Sequence, residues 1–145
     1  MLKIAVIGAG VSGLSVASLL AKAGYNITVF EKSDAISEIG AGVQISPNGF
    51  CVLKEMGVSE SALQNSVCNN SIAICDYQKG KRLLQFKQRS ALGNKNFRLM
   101  HRADLISVLL EAAESNKVRI KLGYSADASS LSDEYSIVIA ADGVH

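Results

Sequence analysis

The stretch Lys3-Ile4-Ala5-Val6-Ile7-Gly8-Ala9-Gly10-Val11-Ser12-Gly13-Leu14 decides how the rest of the chain is read. Leu2 to Ile7 is a short apolar run rich in β-branched residues, and it stops abruptly at Gly8-Ala9-Gly10. That is the pattern of a strand buried on both faces meeting a tight turn. From Ser12 to Ala23 the period changes: Leu14, Ala17, Leu20 and Ala21 recur at helical spacing, Ser12 is placed as N-cap, and Gly24 stands where a C-terminal glycine belongs. A second β-rich run, Ile27-Thr28-Val29-Phe30-Glu31, follows after three residues. Strand, helix and strand in that order predict parallel pairing through a crossover.

The spacing Gly8-x-Gly10-x-x-Gly13 is weak as a pattern alone and gains meaning from this context. The first glycine ends a strand, the second lets backbone approach a pyrophosphate, and the third allows close packing of helix on strand. The backbone N–H groups of Ala9, Gly10, Val11 and Ser12, with the positive end of the helix dipole, then point at phosphates. Glu31 lies at the C-terminal end of the second strand, where its carboxylate can accept hydrogen bonds from ribose hydroxyls, favouring an adenosine without a 2′-phosphate. Lys32 beside it is either a solvated lysine or a phosphate contact. Lys3, the apolar stretch and Ala21-Lys22-Ala23 imitate a secretory leader, a reading that the glycine turn opposes.

Further along, Gly40-Ala41-Gly42-Val43-Gln44-Ile45-Ser46-Pro47-Asn48-Gly49 reads as a loop carrying the only proline, followed by a short helix capped by Asn48 and ended at Gly57. Ser71 to Tyr77 and Arg82 to Lys87 bracket Lys79-Gly80-Lys81 and predict a β-hairpin outside the main sheet, with a polar loop from Gln88 to Asn96. Ala103 to Ser115 returns to helical period, with Leu105, Val108, Leu109 and Ala112 on one face. A third strand at Val118 to Leu122 and a fourth, buried strand at Ser136 to Ala141 complete the reading. The prediction is an α/β, Rossmann-like parallel sheet with a small hairpin excursion, one domain over residues 1–145.

Composition bounds the functional classes. The chain has 145 residues, 15 Lys+Arg against 13 Asp+Glu, a net charge of +2 and 48% hydrophobic residues. This excludes disorder and coiled coil, and the absence of a basic block argues against nucleic acid as partner. Every apolar run is interrupted before the ~18 residues a membrane span needs. Cys51, Cys68 and Cys75 lack metal or redox spacing and sit among apolar or small neighbours, which predicts buried, reduced thiols and a cytoplasmic setting.

Two further positions are candidates. Arg102 precedes a helix whose dipole disfavours a cation there, so a nearby anion or polar ligand competes with a plain surface role. Asp142-Gly143 lies just past the carboxyl end of a strand, where open α/β sheets bind ligands, although Asp-Gly is also a common turn dipeptide. His101 and His145 have no ligand-spaced partners, so no metal site is expected. No Gly-x-Ser-x-Gly elbow and no Walker lysine occur, so no catalytic side chain is assigned and demanding chemistry falls to a bound cofactor.

Four motifs in order carry a resemblance. They are Gly8-Ala9-Gly10-Val11-Ser12-Gly13-Leu14 through Glu31-Lys32; Glu38-Ile39-Gly40-Ala41-Gly42-Val43-Gln44-Ile45-Ser46-Pro47-Asn48-Gly49; His101-Arg102-Ala103-Asp104-Leu105; and Ala141-Asp142-Gly143-Val144-His145. Together they resemble the N-terminal part of FAD-dependent aromatic-ring hydroxylases of the salicylate hydroxylase type. The resemblance implies that the glycine loop holds the FAD pyrophosphate, Glu31 the adenosine ribose, and Arg102 the FAD. It also implies that Asp142 and Gly143 serve flavin and nicotinamide nucleotide, and that the loop at Gly42 and Val43 approaches the flavin. NAD(P)H as reductant and an aromatic small molecule as substrate follow from the same likeness. Gln44 stands where some members carry a catalytic histidine, so that base is missing. Members of the family continue with a second flavin motif and a substrate domain, so the chain looks like a truncated flavin domain. The resemblance therefore implies weak FAD affinity and little activity for this polypeptide alone, and the alternative is a non-catalytic remnant or a half-protein that needs a partner chain supplying the rest. From the fingerprint alone, an NAD-binding Rossmann module remains the alternative.

Overall fold

A computed structural model describes residues 2–36, 41–69, 71–87 and 97–143. The motif residues 38–40 and 144–145 and the predicted loop at 88–96 lie outside these.

The opening stretch forms β1 (Lys3–Ile7), α1 (Val11–Lys22) and β2 (Asn26–Phe30). β1 and β2 pair in parallel, with Ala5 opposite Thr28 and Ile7 opposite Phe30. Helix α1 ends where expected, with Gly24 at φ +94°. It begins earlier than expected: Gly10 is the N-cap and Ser12 the second helical residue, so the cap carries no side chain.

The next elements are β3 (Gly42–Ile45), α2 (Pro47–Glu55), a 3-10 turn (Ser61–Leu63), β4 (Val67–Cys68), β5 (Ser71–Cys75), β6 (Arg82–Lys87) and β7 (Arg98–His101). The expected loop at 40–49 thus contains a strand. β3 and β4 both pair antiparallel with β7, giving a three-stranded sheet in the order β3-β7-β4. Helix α2 is capped by Ser46 rather than Asn48, because Pro47 occupies the first helical position, where its missing N–H costs nothing. The Ser46 hydroxyl donates instead to the Asn48 side chain. β5 and β6 form the predicted hairpin as a separate two-stranded sheet.

The chain closes with α3 (Arg102–Ser115), β8 (Arg119–Lys121), α4 (Ala128–Leu131) and β9 (Ile137–Ala140). The main sheet is entirely parallel in the order β8-β2-β1-β9. Alternate residues of its central strands serve two cores, as the two-residue period of a strand requires. Ile4, Val6, Ile27 and Val29 pack with Leu14 and Ala17 of α1, and with Leu105, Leu109 and Ala113 of α3. Ala5 and Phe30 pack on the other face with Leu131 and Tyr135. The fourth strand is less buried than expected: Ile137 is 44% exposed, and among the described residues β9 is an edge strand that pairs with β1.

One side chain ties the helical layer together. The Asn116 amide, at the C-cap of α3, donates to Ser18 Oγ at 2.8 Å, Met56 O at 3.1 Å and Ala112 O at 2.9 Å. It joins α1, the end of α2 and α3 and satisfies the buried Ser18. All three cysteines are exposed thiols, which corrects the expectation of core positions. Each sits on an element whose neighbouring apolar residues turn inward or lie open, so the local composition misled. No helix among the described residues is long and apolar enough to cross a membrane.

Candidate functional site

The carboxyl ends of β1, β2, β8 and β9 open on a cavity of about 400 Å³. Such crevices at the ends of parallel strands are the ordinary ligand sites of α/β sheets. Its floor is the turn from β1 into α1, where the three glycines do three different jobs. Gly8 has φ +100°, and a Cβ there would come within 2.6 Å of Ala141 O. A Cβ on Gly13 would lie 1.9 Å from Gly8 O, so only glycine lets α1 approach the turn this closely. Gly10 has nothing within 4 Å of its Cβ position and faces open space in the cavity. The first N–H groups of α1, at Val11, Ser12 and Gly13, have no partner within the helix, and an N-cap without a side chain cannot supply one. The floor therefore offers N–H donors and a positive dipole end with room for an anion before them.

One wall is Glu31. Its Oε2 accepts from Ala9 N at 2.7 Å and its Oε1 from Ser33 N at 3.0 Å. Partial burial pushes its carboxyl up. The Ala9 and Ser33 hydrogen bonds, with the Lys32 charge, outweigh that and hold it below the ordinary glutamate range. A carboxylate has about four acceptor positions, so with the Ala9 and Ser33 N–H groups and the Ser33 side chain beside it Glu31 retains capacity for a further hydroxyl. Lys32 and Ser33 line the same wall.

Opposite stand Arg102, the first residue of α3, and Ala141-Asp142-Gly143 after β9. Arg102 N donates to Ala41 O at 3.1 Å, which fixes the start of α3 beside the start of β3. The structure thus gathers Gly8, Ala9, Gly10, Glu31, Lys32, Arg102, Asp142 and Gly143 around one cavity. Val11, Ser12 and Gly13 stand just behind its floor in α1. Gly42 and Val43 are in β3, opposite His101 and Met100, and are not part of the cavity lining. Gln44 is exposed on the same strand.

The far end of the cavity was not anticipated from the sequence. Tyr124, Ser125 and Ala126, which follow β8, line it together with Ala35 and Ile36. Only the long-range pairing of β8 with β2 brings them there. Among the described residues no group of three His, Cys, Asp or Glu side chains could hold a metal ion.

The residues present fit a dinucleotide: an open glycine before an uncapped helix end for a diphosphate, and a carboxylate with spare acceptor capacity for a ribose. Comparison with known proteins agrees. The chain is 34% identical to 3-amino-4-hydroxybenzoate 2-monooxygenase of Streptomyces cremeus, over 99% of this chain and 40% of that protein. It is 32% identical to 3-hydroxybenzoate 6-hydroxylase of Klebsiella oxytoca, over 74% of this chain and 28% of that one. Among solved structures, 2-methyl-3-hydroxypyridine-5-carboxylic acid oxygenase superposes with a TM-score of 0.77 at 25% identity, covering 87% of this chain and 32% of the other. The chain therefore spans about two fifths or less of the length of these relatives. A family model described as FAD binding domain matches residues 1–145. Since that match runs through every strand end that borders the cavity, the chain belongs to the FAD-binding domain family found in flavoprotein monooxygenases.

Proposed function

We propose that this chain is the FAD-holding part of an NAD(P)H-dependent monooxygenase acting on an aromatic small molecule, and that the cavity residues named above hold the cofactor. The observation that carries this reading is the meeting of Gly10, the uncapped start of α1 and Glu31 around one cavity. In it the N–H groups of Gly10, Val11 and Ser12 stabilise the diphosphate, and Gly8 and Gly13 keep that turn tight against α1. Ala9 serves the cofactor through Glu31, because its N–H fixes the carboxylate that faces the sugar. Glu31 receives the adenosine ribose hydroxyls and by its charge disfavours a 2′-phosphate. Arg102 supplies positive charge at the cavity mouth, and Asp142 with Gly143 closes the side facing the nicotinamide nucleotide. Gly42 and Val43, the two residues after the Ala41 carbonyl that accepts from Arg102, bring the β3 backbone toward the flavin. FAD, when bound there, would supply the redox chemistry. With Gln44 on β3, no base from that position takes part.

The test is a titration with FAD followed by quenching of flavin fluorescence, with NAD as competitor. Saturable FAD binding that Gly10→Val and Glu31→Ala both abolish is expected. Tight NAD binding without FAD binding would overturn the assignment.

A second reading, that further polypeptide packs on this chain, is favoured by one observation. Ile72 and Ile74 of β5 lie opposite Phe86 and Leu84 of β6 on one hairpin face, and all four are 40–51% exposed. An apolar face of that kind suits a covering partner, in the same chain or another, in a cytoplasmic setting. Size-exclusion chromatography with the separately expressed remainder of a relative tests it; co-elution supports it and separate elution counts against it.

A further inference from the structure

We propose that Tyr124 is the base-recognition residue of the cavity, its ring forming the wall against which the adenine of the dinucleotide stacks. This inference rests on the reading of the cavity as an FAD site and adds the residue that reads the base.

Three observations place the ring there. Tyr124 lines the cavity and is 45% exposed, the exposure of a side chain that offers one part of its surface. The rest is committed: its ring lies 5.0 Å from that of Phe30, tilted by 49°, and Phe30 is fixed in turn by Tyr135 at 5.6 Å, edge to face. Phe30 is 2% exposed, so it anchors Tyr124 from the core while leaving the cavity side open.

The backbone then sets Tyr124 in register with Glu31. Glu31 N donates to Lys121 O at 2.9 Å, Tyr124 N donates to Glu31 O at 2.9 Å, and Gly123 N donates to Ser33 O at 2.9 Å. The carboxylate assigned to the ribose and the ring assigned to the base are therefore held on two chain segments joined by three hydrogen bonds. Adenine is attached directly to that ribose, so the group next to a Glu31-bound sugar on the side away from the diphosphate is the base. The small neighbours Ser125 and Ala126 leave room for a flat heterocycle beside the ring. Aromatic side chains bind bases through their π faces, a contact worth about fivefold in affinity or more.

The experiment compares wild-type protein, Tyr124→Ala and Tyr124→Phe in three titrations: FAD by flavin fluorescence, etheno-ADP by fluorescence of its modified base, and FMN as a flavin without adenine. Tyr124→Ala is expected to weaken FAD and etheno-ADP by about fivefold or more, the loss that ~1 kcal/mol of stacking gives. It is expected to leave FMN unchanged, while Tyr124→Phe keeps wild-type affinity for all three. Stacked etheno-adenine is also quenched, a signal that Tyr124→Ala relieves. Circular dichroism of both variants confirms the fold. Wild-type affinity of Tyr124→Ala for both adenine probes overturns the inference while leaving the FAD reading intact. A loss on FMN equal to that on FAD overturns it as well, by placing the flavin at this wall. Failure of wild-type protein to bind FAD removes the FAD reading and this inference with it.

Discussion

Replacing Gly13 by alanine reverses a general rule of helix energetics. In the interior of an exposed helix, Gly→Ala stabilises by about 1 kcal/mol, because glycine loses more backbone entropy on folding. Gly13 is in the first turn of α1, and its Cβ would lie 1.9 Å from Gly8 O and 3.5 Å from Ala141 Cβ. No rotamer relieves a clash with a backbone oxygen, so α1 has to move away from the turn or β1 has to shift. Overpacking of this kind costs typically ~1–3 kcal/mol and more where backbone is displaced. Set against the propensity gain, a net loss of about 2 kcal/mol is expected, which in a chain of this size lowers Tm by ~4–8 °C. Gly10→Ala is the matched control. Its backbone is extended, at φ −78° and ψ −172°, and its Cβ meets open space, so the stability loss stays within the ~1 kcal/mol of a poorer N-cap. Its FAD affinity falls instead, since the methyl group enters the space before the helix end. The assay is thermal unfolding followed by helical circular dichroism, because the chain has no Trp. A Gly13→Ala variant as stable as wild type, or more so, would refute the close-packing argument for this turn.

Asn116→Ala leaves the buried Ser18 hydroxyl and Met56 O without their donor, and a loss of about 1–3 kcal/mol in urea unfolding is expected; an unchanged midpoint shows that the three helices do not depend on this amide. Glu31 has a folded-state pKa below its unfolded value near 4.5, so it stabilises the fold above that pH and the contribution is lost as pH falls through the depressed value. Glu31→Gln is therefore expected to flatten the acid limb of a stability-versus-pH curve; a limb as steep as wild type in the variant contradicts the assignment. Ile74→Lys places a charge on an exposed hairpin face and is expected to change stability of the chain by no more than about 0.5 kcal/mol. A larger loss in chemical denaturation means that the face packs on something within the chain.

How far the sequence could be read follows from how local each signal is. β1, α1 and β2 were legible because their periods are regular and their partners adjacent in sequence. β3 and β7 were missed: each has four residues, Gly42-Val43-Gln44-Ile45 and Arg98-Leu99-Met100-His101, and each is a strand only because the other pairs with it across more than fifty positions. The two-residue β4 depends on the same partner. Ser12 and Asn48 were placed as N-caps from residue type, whereas Gly10 and Ser46 hold those positions, since the tight β1 turn and the Pro47 ring set where each helix starts. At the cavity, Glu31 was legible from its spacing to the glycines. Tyr124 was not, because its nearness to Glu31 comes from the pairing of β8 with β2, which leaves no mark in the local sequence.

The β5–β6 hairpin is a sheet of its own, and its turn is built entirely from local bonds. Asp76 accepts from Gln78 N and Lys79 N through its side chain and from Gly80 N through its backbone, and Gly80 adopts φ +64°. Tyr77 at this tip is 91% exposed. The tip is therefore the natural place to graft foreign sequence. Lengthening a flexible loop costs only about 0.6 kcal/mol for each doubling, so a peptide epitope or a small reporter inserted at Gln78 or Lys79 should leave the cavity unaltered. A chain tagged there would display its cargo away from both termini, ready for immobilisation without disturbing the first strand.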